Sequence, residues 1–163
     1  MDGGAPASLE GRPWTAALRQ PAAALFLGAL VAVLAALLGP LLDAPAIARW
    51  TVQSYDDEAL RAAFALISVR HLPMFLLAIA AGNLVFRLLK DTSPASVAIT
   101  IMPWILYVVV TGTMDSIAVG ESPFSWVGYE PAYFIWPHFV AVPLGLYMAS
   151  RMVQRRREKS ALN

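Results

Sequence analysis

The sequence predicts an all-α integral membrane protein, a bundle of four transmembrane helices with both termini on the cytoplasmic side. Three observations predict it. Hydrophobic residues make up 58% of the chain and charged ones only 14%, and the mean hydropathy is +0.60, well away from a soluble average. Four apolar runs each reach the roughly 20 residues of helix needed to cross a bilayer core. Cations and carboxylates fall in alternate connections between these runs, and that is the pattern by which a membrane protein is oriented.

The first run covers about 21–42 and is Ala, Leu and Val almost throughout. The second covers 62–89 and is interrupted by Arg70 and His71; the third covers 95–119 and the fourth 131–152. Asp43-Ala44-Pro45, Lys90-Asp91-Thr92-Ser93-Pro94 and Gly120-Glu121-Ser122-Pro123 break them apart, each carrying residues that end helices. Residues 1–163 therefore read as one membrane domain, with 1–20 and 153–163 as cytoplasmic tails.

Lys and Arg in short connections are retained inside. Arg12 and Arg19 precede the first run, Arg87 and Lys90 border the second connection, and Arg151, Arg155, Arg156, Arg157 and Lys159 form a basic tail. The other two connections are acidic, with Asp43, Asp56, Asp57 and Glu58 in one and Asp115, Glu121 and Glu130 around the other; Arg49 and Arg61 are their cations. Trp50, Tyr55, Phe124, Trp126 and Tyr129 stand in or beside them, where aromatic rings favour the outer headgroup level. A basic start, an apolar run and Ala44-Pro45-Ala46 also describe a cleavable signal peptide, but the run exceeds the usual signal core, so an uncleaved span is expected. Cysteine is absent, which excludes disulfides, thiolate metal sites and a Cys nucleophile.

Helices in lipid associate through small residues and through polar side chains that find partners. On the second run His71, Phe75, Ala78 and Gly82 share a face; on the fourth Ala141, Gly145 and Ala149 recur every four residues, with His138 beside them. The third carries a polar stripe of Thr100, Trp104, Tyr107, Thr111 and Asp115. The first, with Gly28 and Ala32 as its small pair, reads as a packing or anchoring helix. Pro73, Pro103, Pro137 and Pro143 each remove a backbone donor and release the carbonyl one turn earlier, at Val69, Ile99, Tyr133 and Phe139.

The ionisable groups within the runs are Arg70, His71 and His138, with Asp115 at the outer end of the third. At about 1.5 Å per residue, Arg70 and His71 fall in the outer third of the membrane and His138 about 10 Å below its outer surface. With Tyr107 and Thr111 they form a candidate polar pocket. Such groups in hydrocarbon pair, snorkel or line a site. As a structural lock, Arg70 pairs with Asp115 and each His bonds between helices. As a redox site, His71 and His138 on two helices are the minimum for holding haem b from both faces, with Arg70 on a propionate. As a proton- or ion-linked site, the same His residues titrate near neutrality. Trp104, Tyr107 and Trp136 would wall a quinone or lipid site.

Asp56-Asp57-Glu58 favours a helix start after Ser54 more than it resembles a cation site. The basic tail would also attract anionic headgroups. Phosphate-cradling glycine loops, G-x-S-x-G and H-E-x-x-H are missing, and two His are too few for a three-His zinc site. No catalytic residue, resident cofactor or metal is therefore expected. The expectation is a small multi-pass protein of a bacterial inner membrane that serves as an accessory, assembly or interaction subunit. Its partners would be the bilayer and another membrane protein or a second copy, with no role for nucleic acid.

Overall fold

The computed structural model describes residues 14–42, 49, 59–125 and 132–162. Arg12, Asp43, the Ala44-Pro45-Ala46 triplet, Trp50, Ser54, Tyr55, Asp56-Asp57-Glu58, Trp126, Tyr129, Glu130 and the side chains of Arg61 and Trp136 lie outside the described residues.

Among the described residues the chain forms four long helices and no strand: α1 (Trp14–Leu42), α2 (Ala59–Leu89), α3 (Pro94–Ala118) and α4 (Ala132–Ala161). Three of them hold stretches long and apolar enough to cross a membrane, at Arg19–Leu42, Ser68–Leu89 and Pro94–Ala118. The helices outrun the apolar segments. Pro21 stands inside α1 because that helix begins at Trp14, and α4 stays helical through its arginines to Ala161. The described side chains of α4 are apolar over a shorter stretch, with Arg151 following Ser150.

Local chemistry sets the ends. Lys90 takes a left-handed φ of 54° and stops α2. Asp91 then accepts from the Ser93 amide at 2.8 Å and the Ser93 hydroxyl at 3.1 Å. Ser93 is the N-cap of α3, its Oγ accepting from the Ser96 amide at 3.3 Å, and Pro94 occupies the first helical position, where no donor is needed. At the other end Gly120 adopts φ 79°. Its amide donates to the Ile117 carbonyl at 3.0 Å, and the Glu121 amide to that of Ser116 at 2.9 Å. This is a Schellman closure, which glycine permits without steric cost.

α2 packs chiefly on α4, and α1 chiefly on α3; α1 also meets α2, and α3 meets α4. α2 and α3, joined by four residues, hardly touch along their lengths, so they lie across a diagonal of the bundle. The core consists of Ala24, Val31 and Ala35 on α1, Met74, Ala78 and Phe86 on α2, Thr100, Trp104 and Val108 on α3, and Val142, Leu146 and Ala149 on α4. Small residues let the backbones approach. A Cβ on Gly145 would stand 2.7 Å from both the Ala78 Cβ and the Phe75 carbonyl oxygen, and one on Gly82 would stand 2.8 Å from the Ala149 Cβ. A Cβ on Gly28 would collide with the Thr100 carbonyl. On α1 the seam is a stripe of Ala24, Gly28, Val31, Ala32, Ala35 and Gly39, all buried.

The outward faces are apolar on every helix. Phe26, Leu37 and Leu41 on α1, Leu76 and Leu84 on α2, Met102 and Leu106 on α3, and Val140, Leu144 and Met148 on α4 are all exposed. A soluble monomer does not surround itself with such a belt. The structure thus has the polarity of a protein whose solvent is hydrocarbon, and a membrane location follows.

Candidate functional site

The site grows from the face of α2 that carries His71. Ala78 and Gly82, two and three turns further along this face, bring α4 close enough for side chains on either side to meet. His71 is 7% exposed, and its ring meets that of His138 edge-on, with centroids 4.5 Å apart and planes at 82°. Arg70 precedes His71 on the same turn and is half-buried.

His138 links outward through its backbone as well. Its carbonyl accepts the indole N–H of Trp104 at 2.7 Å, and Trp104 is 2% exposed. Pro143 lies five residues on within the same helix. A proline there cannot donate to the carbonyl of Phe139, the neighbour of the one that receives the indole. Trp104 in turn lies against Tyr107, with centroids 5.4 Å apart. Two ring pairs, His71 with His138 and Trp104 with Tyr107, linked through the His138 backbone carbonyl, therefore join α2, α4 and α3.

The sequence-derived pocket divides when its residues are followed into the structure. His71 and His138 are in contact. Tyr107 is 40% exposed and borders a separate apolar groove of ≈ 270 Å³ with Ala29, Ala32, Ala36 and Pro103. The Thr111 hydroxyl turns back on its own helix, donating to the carbonyls of Tyr107 at 2.8 Å and Val108 at 3.2 Å. Asp115 is exposed near the end of α3. The reason is geometric. Of the buried residues of α3, Ser96, Thr100, Trp104, Val108 and Ser116 lie on one four-residue ridge, with Val97 beside it, whereas the polar stripe takes a single step of three from Trp104 to Tyr107 and so leaves that ridge.

Ala78, Gly82, Ala141, Gly145 and Ala149 are buried, and the glycines among them face α2 or α4 of the same chain. These small faces close the bundle on itself. In the basic tail, Arg151, Arg155, Arg156, Arg157 and Lys159 are exposed on the helical end of α4. Arg157 nonetheless reaches back to donate to the Phe86 carbonyl at 2.9 Å. That carbonyl is one of the last four of α2, which lack helical partners, and a cation there also suits the helix dipole. Neither this clasp nor the Trp104 bond was evident in the sequence, because both depend on which helices are neighbours.

Two imidazoles in direct contact leave no gap for a macrocycle, so this pair can hold a haem between its rings only if α2 and α4 separate. Among the described residues there is no group of three or more His, Asp or Glu able to hold a metal ion. What the arrangement does chemically is join helices. Trp104→Phe keeps the ring and removes the donor, and is expected to lower stability by about 1 kcal/mol, within the range of interhelical hydrogen bonds in membranes. Unfolding in mixed micelles measures it, and unchanged stability would mean the bond contributes nothing. Comparison with known proteins finds no matching family model, no similar curated protein and no similar solved structure.

Proposed function

We propose that the chain is a four-span protein of a bacterial-type inner membrane, with both termini cytoplasmic, that acts as an accessory, assembly or interaction subunit without catalysis of its own. One observation carries this reading: apart from the His71–His138 pair, which meets ring to ring, the side-chain hydrogen bonds described inside the bundle end on helix backbones and not on a shared cavity. Trp104 donates to the His138 carbonyl, Thr100 to that of Ser96 at 2.8 Å, and Asn83 to that of Ile79 at 2.9 Å. The exposed Val140, Leu144 and Met148 support α4 as the fourth span. The cations at Arg87, Lys90 and the end of α4 support the orientation. Because the small faces of α2 and α4 are occupied by each other, a partner would meet the bundle on its lipid-facing surfaces.

The absence of cysteine makes labelling of single introduced thiols clean. Ser122→Cys is expected to react with a membrane-impermeant maleimide from outside intact cells, and Thr92→Cys and Ala161→Cys only after permeabilisation; the reverse pattern overturns the orientation. In native membrane extracted without detergent, the chain is expected in a particle containing a partner or a second copy. A lone 17.6 kDa chain would count against the accessory role.

The contact between His71 and His138 favours a second reading, a proton- or ion-linked subunit. Two imidazoles this close repel when both are charged, and Arg70 adds a third positive group beside them. A pH-dependent property of the assembled complex that disappears in both His71→Gln and His138→Gln would favour this reading over the first.

A further inference from the structure

Between the start of α3 and α4 runs a groove of ≈ 770 Å³ with two unlike walls. One wall is apolar, with Val97, Ala98 and Ile101 along α3 and Tyr147 on α4. The other, at the mouth, carries Lys90, Arg151 and Arg157. Asp91 is the acid among the lining residues, and both of its oxygens accept from Ser93, so it is engaged in holding the loop. Two of the three cations are held as well. Arg157 is anchored on the Phe86 carbonyl, and Arg151 donates to Gln154 at 3.0 Å; a guanidinium has five N–H donors, so each keeps others for an anion.

A soluble phosphate would use the mouth alone. A phospholipid would use both walls, since the apolar one begins at the cationic end and continues along α3. We propose that this groove binds one anionic phospholipid, its phosphate on Lys90, Arg151 and Arg157 and an acyl chain along Val97, Ile101 and Tyr147. This rests on the reading above that the α2–α3 connection and the end of α4 face the cytoplasm, where the leaflet is rich in anionic lipid.

The test is thermal unfolding of the full chain in detergent, titrated with phosphatidylglycerol or with phosphatidylcholine of the same acyl chains. Phosphatidylglycerol is expected to raise the midpoint by several degrees more than phosphatidylcholine. The Lys90→Gln, Arg151→Gln double variant should lose that difference. Ala98→Trp, which fills an exposed position of the apolar wall without changing charge, should lose most of it, and provides the test if the double variant fails to fold. Arg155→Gln with Lys159→Gln, exposed positions away from the groove, should keep it. Equal loss in both charge pairs would reveal diffuse attraction and overturn the site. So would inorganic phosphate or glycerol phosphate reproducing the whole shift, which would make the ligand a soluble anion. Flotation with liposomes separates the two levels of the reading: failure to float removes the membrane assignment itself, whereas floating without preference for phosphatidylglycerol removes only the lipid site.

Discussion

Gly145→Leu is expected to abolish the folded bundle in detergent. Even the first added carbon stands 2.7 Å from the Phe75 carbonyl oxygen and 3.3 Å from the Ile79 amide nitrogen. Both are backbone atoms of α2 and cannot rotate away. Added bulk in a core that can adjust costs about 1–3 kcal/mol; here the leucine must push apart the two helices that share the largest contact in the molecule. A loss above about 3 kcal/mol is therefore expected, enough to consume much of the stability of a small domain. Far-ultraviolet circular dichroism should still report helices, since each is stable in a detergent micelle, while gel filtration and SDS titration should show an expanded, readily unfolded particle. A variant that elutes and unfolds like wild type would mean α2 and α4 do not pack through this glycine.

Gly28→Leu is expected to do to the α1–α3 seam what the first variant does to α2 and α4. The added Cβ would meet the carbonyl oxygen, carbonyl carbon and Cα of Thr100, and Thr100 is 0% exposed. Its hydroxyl is already committed to the Ser96 carbonyl, so the segment has backbone on one side and a closed turn on the other. A loss of about 3 kcal/mol is expected, at the upper end for overpacking. Gly39→Ala supplies the contrast, because its Cβ would meet only the terminal methyl of Met74 at 3.3 Å, and a flexible thioether yields. It should cost less than about 1 kcal/mol. Equal loss in the two variants would show that glycine is needed on α1 for a reason other than contact with Thr100.

The helices were legible because apolar runs and breakers are local properties. Ser93-Pro94 and Gly120 act at the ends of α3 through their own backbone preferences, and each could be placed without knowing the rest of the molecule. The stripe of Ala141, Gly145 and Ala149 could be read as a small-residue face, yet its counterpart could not, and the sequence suited a foreign partner as well as α2. On α1 the stripe from Ala24 to Gly39 is hidden, since alanine is common around the whole helix and only the glycines stand out. The polar cluster was the least legible part. Spacing alone put Tyr107, Thr111 and Asp115 with the two histidines, but the one step of three after Trp104 sets these residues one position off the four-residue ridge, and that offset carries a side chain from the core toward the surface. Arg157 looked like a topology signal, and only the folded arrangement brings it to the end of α2.

The diagonal placement of α2 and α3 bears on how the molecule is made. A ribosome releases helices in chain order, so α2 is complete well before α4, the helix that covers it. Until then α2 lacks the contact it makes with α4, and α1, the helix already present, makes the smaller contact with α2. Chain order thus makes the face of α2 that carries His71 and Gly82 wait for its main cover, and a chain cut short before Ala132 is expected to lack the largest of the helix contacts described.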